Sequence, residues 1–125
     1  MSSRLVTGID LIEISRFAEI DPVIRARFIQ RVFTRAEQLE CAERNDRLAG
    51  KFAAKEAVAK ALGSGIGEVS WQEIIILDDP SGQPVLELAG TAGQVAGAQQ
   101  LNDWSISITH THELAAAVAV AIRDG

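Results

Sequence analysis

One stretch of this chain, residues 52–67, combines strong helix formers with a glycine-rich ending and reads FAAKEAVAKALGSGIG. Ala, Leu and Lys favour helix, and Gly63 stands where a helix needs a terminal residue with positive φ. Glu56 and Lys60 are four residues apart and therefore share one helix face, with Phe52 one turn earlier. A carboxylate and an ammonium that lead into a glycine loop suit a site for a metal and a phosphate. An exposed Glu–Lys pair followed by an ordinary turn has the same spacing, so spacing alone leaves both interpretations open.

Length and composition exclude several classes of protein. A chain of 125 residues is near the most common domain size, so we expect a single domain over residues 1–125. No apolar run reaches the ~18–20 residues of a membrane helix, so we expect neither a membrane span nor a secretory leader. The single cysteine, Cys41, permits no intrachain disulfide and suits a reducing cytoplasm. We expect it to be a small packing residue in a helix.

Charge is distributed unevenly along the chain. Residues 1–60 contain eleven of the twelve Lys and Arg but nine of the seventeen Asp and Glu, while the whole chain has a net charge of −5. Five arginines lie within residues 16–35. A basic patch on an acidic protein is a poor footprint for nucleic acid, because nucleic-acid-binding domains usually have a high pI. The patch suits an acidic protein partner or a small phosphorylated ligand.

The order of the predicted elements indicates an α+β fold. Amphipathic patterns, Pro22 and the capping-box spacing Thr34-x-x-Glu37 predict helices over residues 13–20, from 22 onwards, and over 34–44, 47–62 and 91–100. Runs rich in β-formers predict a first strand within residues 4–12 that ends near Asp10, and further strands over residues 71–77, 84–88, 104–109 and 114–122. We therefore expect a mostly antiparallel sheet packed on a long helix.

Three segments, in order, resemble one known family. FAAKEAVAKALGSGIG resembles the signature helix of holo-acyl-carrier-protein synthases, the small bacterial group of 4′-phosphopantetheinyl transferases. GIDLIEISRF resembles the opening strand of that family and ISITHTHELAAAVAVA its closing hairpin, with support from FTRAEQ and LAGKFAAKEA. The resemblance spans about residues 5–122. It implies the 4′-phosphopantetheinyl transferase fold, and transfer of the 4′-phosphopantetheine arm of coenzyme A to a serine of apo-acyl carrier protein, with release of adenosine 3′,5′-bisphosphate.

The resemblance also implies roles for single residues at the reaction centre. Asp10 and Glu56 match the two carboxylates that hold Mg²⁺, an ion that prefers oxygen ligands and completes its shell with water and substrate phosphate. Lys60 would stabilise the negative charge that develops on the leaving phosphate. The attacking serine needs a base, and both Glu56 and a water on the metal are candidates.

Basic and glycine residues near the long helix are expected to contact the coenzyme. Lys51, Lys55 and Arg47 lie close enough in sequence to reach its phosphates, and one of the three is expected to be plain surface. Further backbone N–H groups would come from Gly63, Ser64 and Gly65, although alone these residues indicate a helix end and a turn.

The SITHTH motif contains the last of the predicted coenzyme contacts. The resemblance places Thr109 and His110 beside the coenzyme. His110 and His112 would share a strand face, but no third ligand of matching type is near in sequence, so we do not predict zinc.

The arginine patch is predicted to dock the carrier protein, because acyl carrier proteins are strongly acidic. Arg16 matches the family's carrier-contacting position, while Arg25 and Arg27 lie on the following helix beside Phe28. A solvated helix face is the alternative for these arginines. The resemblance implies a homotrimer with the coenzyme at subunit interfaces, and the apolar strand at residues 114–122 is consistent with such burial. Two other functions stay open: a non-enzymatic partner-binding α+β module, and a different Mg²⁺-dependent phosphotransferase.

Overall fold

In the computed structural model, which describes residues 4–63 and 68–123, a long helix packs on a three-stranded antiparallel sheet. The strands are β1 (Leu5–Glu13), β2 (Ile74–Asp78), β3 (Pro84–Leu88), β4 (Leu101–His110) and β5 (Leu114–Arg123). The helices are α1 (Ser15–Ala18), α2 (Pro22–Val32), α3 (Arg35–Cys41), α4 (Asn45–Leu62) and α5 (Gly90–Ala98), with a 3₁₀ turn at Trp71–Glu73. The main sheet has the order β1-β5-β4, and β2 pairs with β3 in a separate hairpin. The predicted α+β class is confirmed. Within the described ranges no helix is both long and apolar enough to cross a membrane.

Helix α4 approaches the main sheet closely because the facing residues are small. The buried positions of β5 are all alanine: Ala115, Ala117, Ala119 and Ala121. On β1, a Cβ atom built at Gly8 would lie 1.8 Å from the carbonyl oxygen of Ala57, so only glycine allows this contact. Side chains alternate along a strand, so Asp10 projects from the same face as Gly8, towards α4.

Two helices are shorter than predicted, for local reasons. The predicted helix at 13–20 is reduced to α1, because β1 continues to Glu13, which pairs with Leu114. The capping box of α3 forms as expected between Thr34 and Glu37. This helix ends at Cys41 instead of near 44, since the next two residues adopt left-handed backbone with φ of 50° and 66°.

The second half of the chain follows its predicted pattern with shifted bounds. The run at 71–77 begins with the 3₁₀ turn, and β2 starts only at Ile74. Strand β4 begins three residues earlier than expected, at Leu101, because an irregularity in register lets it pair with Arg123. Cys41 is completely buried, as expected of a packing residue, and burial raises the pKa of its thiol to about 11.

Candidate active site

Strand β1 and helix α4 bring together Asp10, Glu56 and Lys60, the residues predicted to carry the chemistry. The Lys60 ammonium donates hydrogen bonds to Asp10 Oδ1 at 3.1 Å and to the carbonyl oxygen of Ile9 at 3.0 Å. Burial raises the pKa of Glu56, and the nearby Asp10 carboxylate adds to this rise, while Lys60 and Arg16 oppose it. Two carboxylates and one ammonium therefore share a single small region.

The donors in this region fit a magnesium ion. Burial is the main cause of the raised pKa of Glu56 and the Asp10 carboxylate adds to it, so a divalent cation beside both groups would favour their ionised forms. Mg²⁺ typically takes one or two protein carboxylates and fills its shell with water and phosphate oxygens. In residues 4–63 and 68–123 no group of three or more His, Cys, Asp and Glu is arranged to hold a metal. Further ligands would therefore come from water or substrate.

Lys55 is not available to a coenzyme phosphate, contrary to prediction. Its side chain is completely buried, and its ammonium donates to the carbonyl oxygens of Trp71, at 2.9 Å, and Ile74. The third N–H group of the ammonium faces the buried Glu37 carboxylate at 2.8 Å. All three N–H donors of Lys55 therefore have partners within the protein. Burial lowers the pKa of Lys55, against the opposing effect of Glu37. The role of Lys55 is structural, because every proton of its ammonium is held inside the protein.

Lys51 borders an open cavity of about 260 Å³. Its ammonium donates to the carbonyl oxygen of Ile76 at 2.7 Å and to the carboxylate of Glu40, so two of its three donors have protein partners. The cavity lies between α4, the β2–β3 turn and the end of β4, and its lining includes Arg47, Gly50, Lys51, Gly82, Pro84 and His110. Three carboxylates, those of Glu40, Asp46 and Asp78, line the same space, so the basic side chains offer donors to a ligand but do not by themselves make the cavity positively charged.

Thr109 and Gly63 do not contribute to this cavity. Thr109 precedes His110 on β4, lies opposite Ala116, and projects from the other face of the sheet. Gly63 ends α4 with φ of 78°, as predicted, but its N–H donates to the carbonyl oxygens of Ala59 and Lys60, both at 3.1 Å. That N–H is not free for a phosphate, so this part of the prediction is wrong. Ser64 and Gly65 lie outside the described residues.

The cavity and the carboxylate pair lie on opposite faces of α4. Arg47 and Glu56 are nine positions apart on this helix, which is about two and a half turns at ~3.6 residues per turn. Lys51 is likewise rotated by about 140° from Glu56. A single copy of the chain therefore does not place the two groups side by side.

Arg25 is engaged within the chain, although it was predicted to dock a partner. Its side chain is only 19% exposed. The guanidinium donates to the carbonyl oxygen of Phe17 at 3.1 Å, to Asn45 Oδ1 at 2.8 Å and to the carbonyl oxygen of Glu43. These bonds tie α2 to α1 and to the start of α4, so the prediction of a free docking charge is wrong for Arg25.

Two of the other predicted docking residues, Arg16 and Phe28, line a small apolar pocket. Arg16 and Arg27 are exposed, and the charge of Arg16 also acts on Glu56. Phe28 is half-buried, and its ring centroid lies 5.8 Å from that of Phe17 and 5.5 Å from that of Phe52. These three rings line a pocket of about 100 Å³ with Arg16 at its rim. The pocket and its arginines suit an apolar side chain on an acidic partner.

Sequence reasoning missed Glu40, which joins the wall of the larger cavity. Its carboxylate accepts from the N–H of Asp78 and pairs with Lys51. The available signal was the spacing, because Glu37 and Glu40 are three apart on α3 while Lys51 and Lys55 are four apart on α4.

Comparisons with known proteins match nearly the whole chain to one family. Residues 7–119 match the 4′-phosphopantetheinyl transferase superfamily. The chain is 43% identical to the holo-[acyl-carrier-protein] synthase of Herpetosiphon aurantiacus, over 94% of this chain and 98% of that protein. It is 42% identical to the enzyme of the same name from Alkaliphilus metalliredigens, over 91% and 95% of the two chains. Among solved structures, Helicobacter pylori holo-[acyl-carrier-protein] synthase in complex with coenzyme A matches with a TM-score of 0.83 at 32% identity, covering 92% of this chain and 98% of that one.

Proposed function

This chain belongs to the 4′-phosphopantetheinyl transferase superfamily, as a holo-[acyl-carrier-protein] synthase, and we propose that it transfers the 4′-phosphopantetheine arm of coenzyme A to a serine of apo-acyl carrier protein. The second product is adenosine 3′,5′-bisphosphate. The observation that carries this proposal is the convergence of Asp10, Glu56 and Lys60 at one point between β1 and α4. Two carboxylates and an ammonium are the groups that transfer of a phosphoryl-linked arm requires.

Each of these three side chains is proposed to have a distinct role in the transfer. Asp10 and Glu56 would hold Mg²⁺, which when bound polarises the pyrophosphate and offsets its charge. The serine oxygen forms a bond to the β-phosphorus, and the bond from that phosphorus to the bridging oxygen breaks. The serine proton needs an acceptor, and both Glu56 and a water on the metal are candidates for it. The ammonium of Lys60 stabilises the negative charge that develops on the departing phosphate.

The coenzyme is proposed to lie between two copies of the chain. Its nucleotide end would occupy the cavity beside Lys51 and His110 on one copy, while its pyrophosphate meets Glu56 of another, because α4 separates the two groups within one chain. The outer face of the main sheet supplies an apolar contact surface. On β1 it exposes Leu5, Ile9 and Leu11 by 53%, 67% and 63%. Together with the resemblance, this surface supports a homotrimer.

The carrier protein is proposed to dock on α1 and α2. Exposed Arg16 and Arg27 would attract its acidic surface, and the pocket beside Phe28 would take one of its apolar side chains. The proposed setting is the cytoplasm, in fatty-acid biosynthesis and lipid metabolism. Buried, unpaired Cys41 is consistent with a reducing compartment.

A mass measurement tests the reaction directly. The protein is incubated with coenzyme A, Mg²⁺ and an apo-acyl carrier protein, and the carrier is weighed. We expect the carrier to gain the mass of one phosphopantetheine, with equimolar release of adenosine 3′,5′-bisphosphate and loss of both signals in a chelator. A folded protein that binds the carrier without modifying it would instead be a binding module. Transfer of phosphate alone would indicate a different phosphotransferase.

A further inference from the structure

Along one edge of β2, charged side chains form the hydrogen bonds that a neighbouring strand would normally form with the backbone. β2 bonds to β3 along one side only. Along the other side, Ile74, Ile76 and Asp78 direct backbone groups at α3 and α4. These groups are bound by two lysines of α4 and two glutamates of α3, which we call the lysine–glutamate ladder: Lys51, Lys55, Glu37 and Glu40.

The inner half of the ladder is sealed inside the protein. Lys55 donates to the Ile74 carbonyl oxygen, and Glu37 accepts from the Ile76 N–H at 2.8 Å. Both side chains are completely buried and face each other at 2.8 Å. Removal of either one leaves an unpaired buried charge, so this pair serves the stability of the fold.

The outer half of the ladder opens onto the cavity. Lys51 donates to the Ile76 carbonyl oxygen, and the two oxygens of Glu40 accept from the Asp78 N–H at 3.2 and 3.1 Å. The Lys51 side chain is 6% exposed and that of Glu40 is 24% exposed. Asp78 is the last residue of β2 and leads into the turn that carries Gly82 to the cavity wall. Glu40 therefore holds both the lysine on one wall and the start of the turn that forms the other.

We propose that Glu40 is a positioning residue for coenzyme binding, which sets the cavity by anchoring Lys51 and the β2–β3 turn. This inference rests on the proposed placement of the coenzyme's nucleotide end in that cavity. Glu40 is itself an anion beside the proposed position of an anionic ligand, so its charge alone would repel that ligand. If Glu40 acts by positioning, its removal should weaken coenzyme binding. If it acts only through its charge, its removal should strengthen coenzyme binding.

Two variants separate these roles. Glu40→Ala removes the contacts with both Asp78 and Lys51, and we expect the KM for coenzyme A to rise about tenfold with kcat changed less than about twofold. Glu40→Gln keeps an oxygen acceptor for the Asp78 N–H, so we expect it to restore most of the affinity. The KM for the carrier protein should stay unchanged in both. Glu87→Ala is the matched control, because Glu87 is an exposed carboxylate on β3 of the same hairpin, and it should leave all three constants unchanged.

Two further measurements do not depend on transfer activity. Calorimetric titration with coenzyme A alone should show the same loss of affinity in Glu40→Ala. Hydrogen exchange should accelerate at the Asp78 amide while the Ile76 amide, held by Glu37, stays protected. A wild-type protein that binds coenzyme A but modifies no carrier would refute the proposed function and leave the role of Glu40 standing. A lower KM in either Glu40 variant, equal losses for both substrates, or no coenzyme binding by the wild type would overturn the positional role.

Discussion

Lys60 and Asp10 are 50 residues apart in sequence, yet the lysine ammonium donates to the aspartate carboxylate at 3.1 Å. The contact forms because Gly8 lets β1 approach the backbone of α4 at Ala57, which directs Asp10 at the last turns of the helix. Lys60 is 54% exposed on its side chain, whereas that of Asp10 is 18% exposed. Asp10 therefore fixes the position of the Lys60 ammonium by one hydrogen bond, while the exposed side of that ammonium remains open to a ligand.

Replacement of Lys60 by methionine should reduce turnover strongly. Methionine keeps most of the apolar stem but removes the charge that stabilises the departing phosphate, so we expect kcat to fall about 10²-fold or more. Steady-state kinetics with coenzyme A and carrier varied separately measure this effect. A change confined to KM would make Lys60 a ground-state binding residue instead.

Replacement of Asp10 or Glu56 by alanine should abolish transfer and leave the fold intact. Each change removes one of the two carboxylates proposed to hold Mg²⁺. The measurement is activity across a Mg²⁺ titration, with circular dichroism as the check on folding. Glu87→Ala is the control, since Glu87 is an exposed carboxylate on β3, and it should stay active. Unchanged activity of Asp10→Ala at limiting Mg²⁺ would contradict the metal assignment.

Replacement of Glu56 by glutamine should stabilise the metal-free protein, and only above acidic pH. Burial and Asp10 raise the pKa of Glu56 in the fold, so the ionised group destabilises the folded state. Well below the ordinary value of 4.5, the group is protonated in both states and no penalty exists. The penalty grows as pH rises through the raised pKa. We therefore expect Tm to increase by a few degrees, roughly, at neutral pH. Calorimetry in a chelator measures this, and an equal gain at every pH would contradict it.

Charge reversal of Arg16 and Arg27 together should weaken carrier binding by about tenfold or more and flatten its salt dependence. The affinity for coenzyme A should fall much less, because neither residue lines the cavity beside Lys51 and only Arg16 acts on Glu56 through its charge. Arg35→Glu is the control for net charge, since Arg35 is exposed at the start of α3. Arg25→Glu should behave differently and lower Tm, because it breaks the bonds to Phe17 and Asn45. Equal weakening for both substrates would contradict the docking surface.

Mixed oligomers of two defective variants should recover activity if the site spans two copies. Glu56→Ala lacks the reaction centre and His110→Ala lacks part of the coenzyme cavity. After co-expression, random assembly should restore about one quarter of the sites. Each proposed site needs His110 from one copy and Glu56 from its neighbour, and each of these is intact in about half of the copies. Activity is measured at limiting coenzyme A on doubly tagged oligomers. Recovery no greater than the sum of the two variants would place the whole site within one copy.

Local sequence was enough to predict much of this protein. The helix formers and Gly63 predicted α4 and its end, and the spacing of Thr34 and Glu37 predicted the capping box of α3. These features depend on neighbours within one or two turns, so the chain encodes them locally. The resemblance carried by three short motifs identified the family and directed attention to Asp10 and Glu56.

Tertiary packing decided which charged residues are free to act. Lys55 and Glu56 are adjacent in sequence, but successive residues of a helix differ by about 100° in direction. That rotation turns Lys55 into the interior, where Glu37 and the β2 edge hold it, and leaves Glu56 partly open beside Asp10. Arg25 is held in the same way by groups from α1 and α4. Sequence determines the chemical capacity of each side chain, whereas its burial and partners depend on segments that are distant in the chain and meet only in the folded state.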